Sequence, residues 1–445
     1  MTLPRLSLLF RLCLACLVAI SMTSCVDEDE YTNSPSGNFE ALWRIMDEHY
    51  CFFSQKGVDW NEVYQRYSRQ IDSHMSENQQ FEVLCNMLSE LRDGHVNLYS
   101  TFDVGRNWSW REDYPSNFSD TLSRRYLGTD YRIASGISYR ILDDNIGYMR
   151  CSTFANGFGE GNLDDIMAYL LTCRALIIDI RSNPGGMISA AEQLAARFTD
   201  EDILVGYVQH KTGRGHNDFS AMKEQRLRPS RGIRWHKPVA VLTNRTVFSA
   251  ANEFVKYMRC CPRVITVGDH TGGGGGMPFS SELPCGWSVR FSACPIYDRN
   301  RQSTEDGIAP DHVVSITDSD LQRGIDTIIE EARKKLNDSK QKLTHRHVSH
   351  FFIVTLHRYC ACGGIGRRAR LRIWWLRSCR FESYQAHPLI LIAYQQAVRI
   401  FLFVYPSPIG CAAITHDRPM GRLSASTFDD TTTDRLKECV GIEER

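Results

Sequence analysis

The spacing of apolar residues changes along the chain, and each change marks a part of it. Between residues 38 and 91 the period is helical. Phe39, Leu42, Trp43, Ile45 and Met46 share one face, with Asn38 placed as an N-cap. Two more helices are predicted near 60–73 and 78–91. Val96-Asn97-Leu98-Tyr99 then alternates as a strand, while 101–140, rich in Asn, Ser, Arg and Tyr, reads as loops and short strands. From residue 146 strands and helices take turns. Strands are predicted over 146–150, 175–180, 238–242 and 264–267, and helices over 163–171, 186–198 and 249–258. The run Ala175-Leu176-Ile177-Ile178-Asp179-Ile180 is almost wholly apolar, as in a parallel sheet covered on both faces. Such alternation argues a layered α/β core with right-handed crossovers. Pro284-Cys285-Gly286 separates two runs able to form a hairpin, and an amphipathic helix over 321–335 closes the pattern.

The two ends read differently from this middle. Residues 1–24 carry Arg5 and Arg11, an apolar run from Leu12 to Ile20, and then Ser21-Met22-Thr23-Ser24 before Cys25. That is the order of a secretory signal, too short for a membrane span. The end of the run resembles a bacterial lipoprotein box, with Met22 where Leu is usual; the plainer reading is a signal followed by an incidental cysteine. Lipidation of Cys25 would hold an otherwise soluble protein to a membrane by acyl chains. Residues 25–37, with the acidic run Val26 to Glu30, read as a solvated tether of the kind that resembles Bacteroidetes surface lipoproteins. The expected location is the cell envelope, on an outer membrane, facing the periplasm or the surface.

After residue 335 the periodicity collapses. Residues 360–387 crowd arginines and two tryptophans, which invites a nucleic-acid reading. Back-translation gives another account. Gly363–Ile373 can be encoded by a sequence that looks like the D-arm and anticodon region of a leucine transfer RNA gene. Arg380-Phe381-Glu382-Ser383 permits a T-arm consensus, and Cys360-Ala361-Cys362 and Gln385-Ala386-His387 permit complementary acceptor strands. Residues 336–445 are therefore expected to be a non-homologous tail, read through into a transfer RNA gene. The apolar run Pro388–Tyr405, interrupted by Gln395, Gln396 and Arg399, would then be accidental.

Composition sharpens this division. The 445 residues carry 52 Lys+Arg and 52 Asp+Glu, so no global charge favours nucleic acid. The 16 cysteines would suggest a disulfide scaffold in a small secreted domain, but this chain is too long to need one. Cys13 and Cys16 fall in the leader, and Cys25 is the lipid candidate. Five lie in the tail, which leaves eight in the middle.

Three loops of the α/β unit can carry chemistry, at the carboxyl ends of strands where such sheets bind ligands. Asp179-Ile180-Arg181-Ser182-Asn183-Pro184-Gly185-Gly186 can bare N–H groups toward an anion, or be only a tight turn. Ser249 begins a helix, as an N-cap or as a nucleophile beside a helix dipole. Thr271-Gly272-Gly273-Gly274-Gly275-Gly276 lacks the ending of a phosphate-binding loop; it can let a peptide backbone approach, or be a flexible hairpin tip.

In order along the chain, these segments resemble the tail-specific (C-terminal processing) and tricorn-core serine peptidases. The series comprises Leu91-Arg92-Asp93-Gly94-His95, Asp179 to Gly186, Leu242-Thr243-Asn244 through Glu253, Gly268-Asp269-His270-Thr271-Gly272-Gly273, and Asp306-Gly307-Ile308-Ala309-Pro310-Asp311. The resemblance covers residues 38–335. It implies a layered α/β peptidase core (a crotonase-like ββα superhelix) over 101–335, preceded by a small helical subdomain over 38–100. A lysine 25 residues after the serine, as in the tail-specific branch, would fall at 274, which is Gly. Lys256 should point away along the helix. The tricorn-core branch implies instead Ser249 as nucleophile, His95 as base and Glu305 as the orienting acid, with Ala250 and Gly185 or Gly186 as the oxyanion hole. Gly272, Gly273 and Gly274 would meet the substrate backbone. His270 competes as base, and Glu253 and Asp306 compete as acid. A turn histidine bonded to Asp93 is the plainer role for His95. Residues 101–140 are too short for a PDZ module.

The expected function is a serine endopeptidase on a lipid-anchored secreted protein, with a peptide or protein substrate and no metal or organic cofactor. The alternative is an inactive peptide-binding lipoprotein of the same fold.

Overall fold

The computed structural model describes residues 31–108 and 112–338. The predicted leader and Cys25 lie outside the described residues, as does the expected tail from residue 339 on; its first three residues, 336–338, continue the last helix.

Thirteen strands run along the described chain: β1 (Asn97–Tyr99), β2 (Val104–Arg106), β3 (Arg132–Ala134), β4 (Ile137–Ile141), β5 (Ile146–Arg150) and β6 (Ala175–Asp179) in the first half. The second half holds β7 (Ile203–Val208), β8 (Lys223–Leu227), β9 (Val239–Thr243), β10 (Val264–Gly268), β11 (Gly276–Glu282), β12 (Ser288–Asp298) and β13 (His312–Val313). They form two sheets. One has the order β13-β10-β9-β6-β5-β4-β3, parallel from β13 to β5 and antiparallel at β4 and β3. The other, β2-β1-β12-β7-β8 with β11 also on β12, is antiparallel.

Strand β6 shows why its sequence reads as an unbroken apolar run. Side chains alternate across a sheet, so Leu176 and Ile178 enter one core and Ala175 and Ile177 another. The first core is roofed by helices Glu160–Leu170, Ile188–Ala195 and Ala250–Met258, through Leu163, Leu194 and Phe254. The second is closed by Leu127 of helix Asp120–Leu127 and by Ile328, Ile329 and Leu336 of the helix over 327–338. Both faces exclude water, so no polar alternation survives. Each buried Leu or Ile contributes roughly 1.5–3 kcal/mol. Fully buried Arg181, just past β6, donates to Asp179 and Asp326, and Asp326 also caps the last helix through the Ile328 and Ile329 N–H groups.

The N-terminal helices Pro35–His49, Trp60–Tyr67 and Glu77–Ser89 build a third core, in which Leu42, Met46, Trp60 and Leu84 pack against Leu98 of β1 and Val289 and Phe291 of β12. Several local expectations change here. Ser34, not Asn38, caps the first helix, accepting from the Gly37 N–H at 3.1 Å. Asn38 is buried, and its side-chain oxygen accepts from the Cys285 N–H at 3.0 Å. The segment expected to be loops and short strands also holds helix Asp120–Leu127, whose buried apolar residues are Leu122 and Leu127. The closing helix is interrupted at Gly324, which is left-handed. The predicted hairpin about Pro284–Gly286 is present, with Glu282 opposite Ser288.

The described cysteines from Cys51 to Cys294 are free thiols. Among the described residues, no helix is long and apolar enough to cross a membrane.

Candidate active site

Ser249 sits between β9 and the helix Ala250–Met258 with φ 57° and ψ −123°. For a residue other than Gly such a backbone costs about 1–3 kcal/mol, held by its surroundings. Three bonds impose it here: Ser249 N–H to Gly273 O at 2.8 Å, Phe248 N–H to Asn183 O at 3.1 Å, and Glu253 N–H to Ser249 O at 3.0 Å. In this conformation the side chain makes no capping bond to the helix. Its Oγ lies instead 2.9 Å from His95 Nε2. The N-cap alternative therefore does not describe Ser249.

His95 comes from the turn after helix Glu77–Ser89. Arg92 there has φ 47°, and Asp93 Oδ1 accepts the His95 backbone N–H at 2.8 Å. Asp93 Oδ2 accepts from the hydroxyls of Tyr50 at 3.1 Å and Ser292 at 2.8 Å. Asp93 thus holds the loop and not the imidazole, which leans on Phe248 at 4.7 Å between ring centres. Burial pushes the imidazole down to about 4, with Arg290 and Lys56 adding to the effect and Asp93 opposing it. At neutral pH the ring is the free base that a general base must be. Its Nδ1 is buried and makes no hydrogen bond.

Glu305 is 5% exposed. One carboxyl oxygen is 3.0 Å from Lys56 Nζ, and the other is buried without a partner. Burial, then the Asp93 charge, push this carboxyl up to about 8 against the pull of Lys56. No hydrogen bond joins Glu305 to His95. Gly274 lies between their loops: its N–H donates to Glu305 O at 2.9 Å, and a Cβ placed on it would stand 3.1 Å from His95 Cε1. The structure thus brings Ser249 and His95 into contact and sets Glu305 one glycine away.

Of the expected oxyanion donors, Gly185 N–H is already engaged by the Asn183 side chain at 2.9 Å. The Gly186 and Ala250 N–H groups donate to no acceptor among the described residues. Gly185 has φ +98, and a Cβ there would strike Phe248 O at 2.6 Å and Ser249 Cβ at 2.9 Å. The first loop therefore packs directly under the serine.

The expectation that Gly272, Gly273 and Gly274 meet the substrate backbone is set against what these glycines do inside the protein. All three are buried, and one backbone group of each is engaged inside the protein: Gly272 N–H on Val247 O at 2.7 Å, Gly273 O on Ser249 N–H, Gly274 N–H on Glu305 O. They are the joint between the serine and glutamate loops. His270 is turned away, its Nδ1 2.9 Å from Thr271 O and 3.3 Å from Arg245. Glu253 pairs with Lys256 at 2.7 Å inside the core, and Asp306 accepts from Gln55 at 2.8 Å. Neither is placed as the orienting acid.

Sequence reasoning passed over Lys56, Asn183 and Asn252. Asn252 donates to Thr304 O at 3.1 Å and accepts from the Thr271 hydroxyl at 2.7 Å, tying the serine helix to the glycine and glutamate loops. Nothing local marks Lys56, since a Lys-Gly pair is ordinary at a helix end. Among the described residues, no group of three or more His, Cys, Asp or Glu could hold a metal ion.

Residues 145–314 match the model of peptidase family S41, and residues 31–89 match the tricorn protease C1 domain. A candidate peptidase of known structure from Parabacteroides merdae is 53% identical, covering 68% of this chain and 97% of its own, with a TM-score of 0.66. Mature CPAF, solved with lactacystin, shares the fold at 13% identity and TM-score 0.53, covering 70% of this chain and 99% of its own. The carboxy-terminal processing protease CtpA of Bacillus subtilis is 26% identical over 151 residues, 34% of this chain. The match spans about a third of that relative, 30% of its length. The ordered loops, the two-sheet fold and the long alignment with the Parabacteroides protein lead to one conclusion: the chain belongs to peptidase family S41, within the group that includes tail-specific and tricorn-core peptidases.

Proposed function

We propose that the protein is a serine endopeptidase that cleaves peptide bonds through an acyl-enzyme. The observation that carries this reading is the 2.9 Å contact between Ser249 Oγ and His95 Nε2, made by a serine whose strained backbone denies it the capping role. Ser249 attacks the scissile carbonyl as His95 takes its proton at Nε2. The oxyanion that forms is met by the N–H of Ala250, at the start of a helix, and by that of Gly186. His95 then gives the proton to the leaving amine, and a water molecule repeats the sequence to release the acid. Glu305 is the acid of the triad, stabilising the imidazolium through Nδ1. A lipid anchor at Cys25 would hold the enzyme on the cell envelope, tested by loss of membrane fractionation in Cys25→Ala.

One observation favours a second reading, an inactive peptide-binding member of the fold: His95 Nδ1 and a Glu305 oxygen are both buried without partners. A fluorophosphonate probe separates the two. Labelling of Ser249, lost in Ser249→Ala and His95→Ala, supports the peptidase. No labelling of the folded wild type would sink it.

A further inference from the structure

Lys56 ends the helical turn Phe53–Lys56, and left-handed Gly57 turns the chain away after it. Its side chain is 9% exposed. The ammonium makes two contacts, Glu305 Oε1 at 3.0 Å and Arg92 O at 3.1 Å. Arg92 returns a bond from its guanidinium to Lys56 O at 2.8 Å. Lys56 therefore clasps the His95 loop with one hand and the Glu305 carboxylate with the other.

The unpartnered atoms give this clasp a chemical meaning. When His95 accepts a proton from Ser249 at Nε2, its own N–H is on Nδ1. That buried N–H has no acceptor, and the Glu305 oxygen that Lys56 leaves free has no donor. Resting on the triad proposed above, we infer that Lys56 is a positioning residue: its ammonium favours the ionised form of Glu305 and holds one carboxyl oxygen, leaving the other for His95 Nδ1–H. The remaining groups around Glu305 work the opposite way. Asp93 from the His95 loop and the neighbouring Asp306 both raise the carboxyl, as burial does, and Lys56 is the cation that lowers it. Tyr50 and Cys51 face the same cluster and are themselves pushed up by burial and by Asp93 and Glu305, so they stay neutral there. A protonated Glu305 could not stabilise an imidazolium, and without Lys56 the protonated form would persist to higher pH.

The test is the pH dependence of probe labelling in wild type, Lys56→Met, Lys56→Gln and Lys56→Arg. Lys56→Gln removes the charge but can still donate to Arg92 O. Loss of a neighbouring opposite charge raises a carboxyl by about one unit or more. Both neutral variants should therefore shift the acid limb upward by that amount and slow labelling about tenfold at pH 7, while Lys56→Arg restores most of the rate. In a Glu305→Gln background, Lys56→Met should change the rate little, since the two act in series. An unmoved acid limb, or an equal loss in the Glu305→Gln background, overturns the inference in favour of a merely structural clasp. A readout free of catalysis separates this from failure of the peptidase reading. The Glu305 carboxyl, titrated by carbon-13 NMR in Ser249→Ala protein, should move up when Lys56→Gln is added. An unchanged titration overturns the inference whether or not the wild type is an enzyme.

Discussion

Replacing Gly273 with alanine should damage catalysis far more than its backbone angle alone explains. Gly273 has φ +79, and a Cβ on it would lie 1.8 Å from Glu305 O and 2.7 Å from the carbonyl carbon. No flexible side chain can swing aside, because the obstacle is backbone. The Glu305 loop must retreat by more than about an ångström, a displacement that costs on the order of 100-fold in rate when it disturbs a catalytic group. Two bonds loosen with it, Ser249 N–H to Gly273 O at 2.8 Å and Gly274 N–H to Glu305 O at 2.9 Å. Left-handed strain of about 1–2 kcal/mol and about 0.5–1.5 kcal/mol for each bond sum to roughly 3 kcal/mol of stability. Gly286 supplies the control: it has φ +82, but the nearest atom to its Cβ position is 4.0 Å away. Gly286→Ala should cost about 1 kcal/mol and leave labelling within about twofold. Urea denaturation followed by tryptophan fluorescence gives the stabilities, and fluorophosphonate labelling gives the rates. If Gly273→Ala labels like wild type, or is destabilised no more than Gly286→Ala, the reasoning about the glycine joint is wrong.

Other expectations follow from the same geometry. In the proposed triad Glu305 acts ionised, and burial pushes it up to about 8, so labelling should fall as pH drops through that value; Glu305→Gln should remove this limb and lower the plateau. His95 is pushed down to about 4 from 6.5, so the unfolded state binds its proton more readily across that window. Its contribution to stability is therefore present above 6.5 and lost as pH falls toward 4, seen as a steeper fall in melting temperature for wild type than for His95→Asn. Asp93→Asn confronts three donors with a group that can no longer accept from all of them, and should cost about 3 kcal/mol by denaturation. It should also lower the Glu305 limb, since the Asp93 charge raises that carboxyl. Asn252→Ala cuts the links to Thr304 and Thr271, and should cost about 2 kcal/mol and slow labelling even where the protein stays folded.

Much of the α/β architecture was legible because burial on both faces of β6 and β9 leaves a continuous apolar run, a signal written in neighbouring residues. The same holds for the helix after Ser249 and the hairpin at Pro284–Gly286. Elements with weak patterning were not legible. Helix Asp120–Leu127 buries only Leu122, Ser123 and Leu127, too few positions to raise a period above its polar neighbours. Ser34 outcompeted Asn38 as a cap because Pro35 starts the helix earlier, while Asn38 found a distant partner at Cys285.

By itself the sequence determined that a serine, a histidine and a glutamate stand in loops at the ends of elements, in the order of one peptidase family. It could not say what their side chains touch. Whether the Ser249 side chain caps its helix was decided by a backbone angle imposed from Gly273 and Asn183, residues brought near only when β6, β9 and the glycine loop assemble. That the glycine loop joins the serine and glutamate loops follows from the approach of the Glu305 backbone. Lys56 gained a partner almost the whole described chain away. Local chemistry is encoded by neighbours along the chain, but hydrogen bonding and charge depend on neighbours in space, and those exist only once the chain has folded.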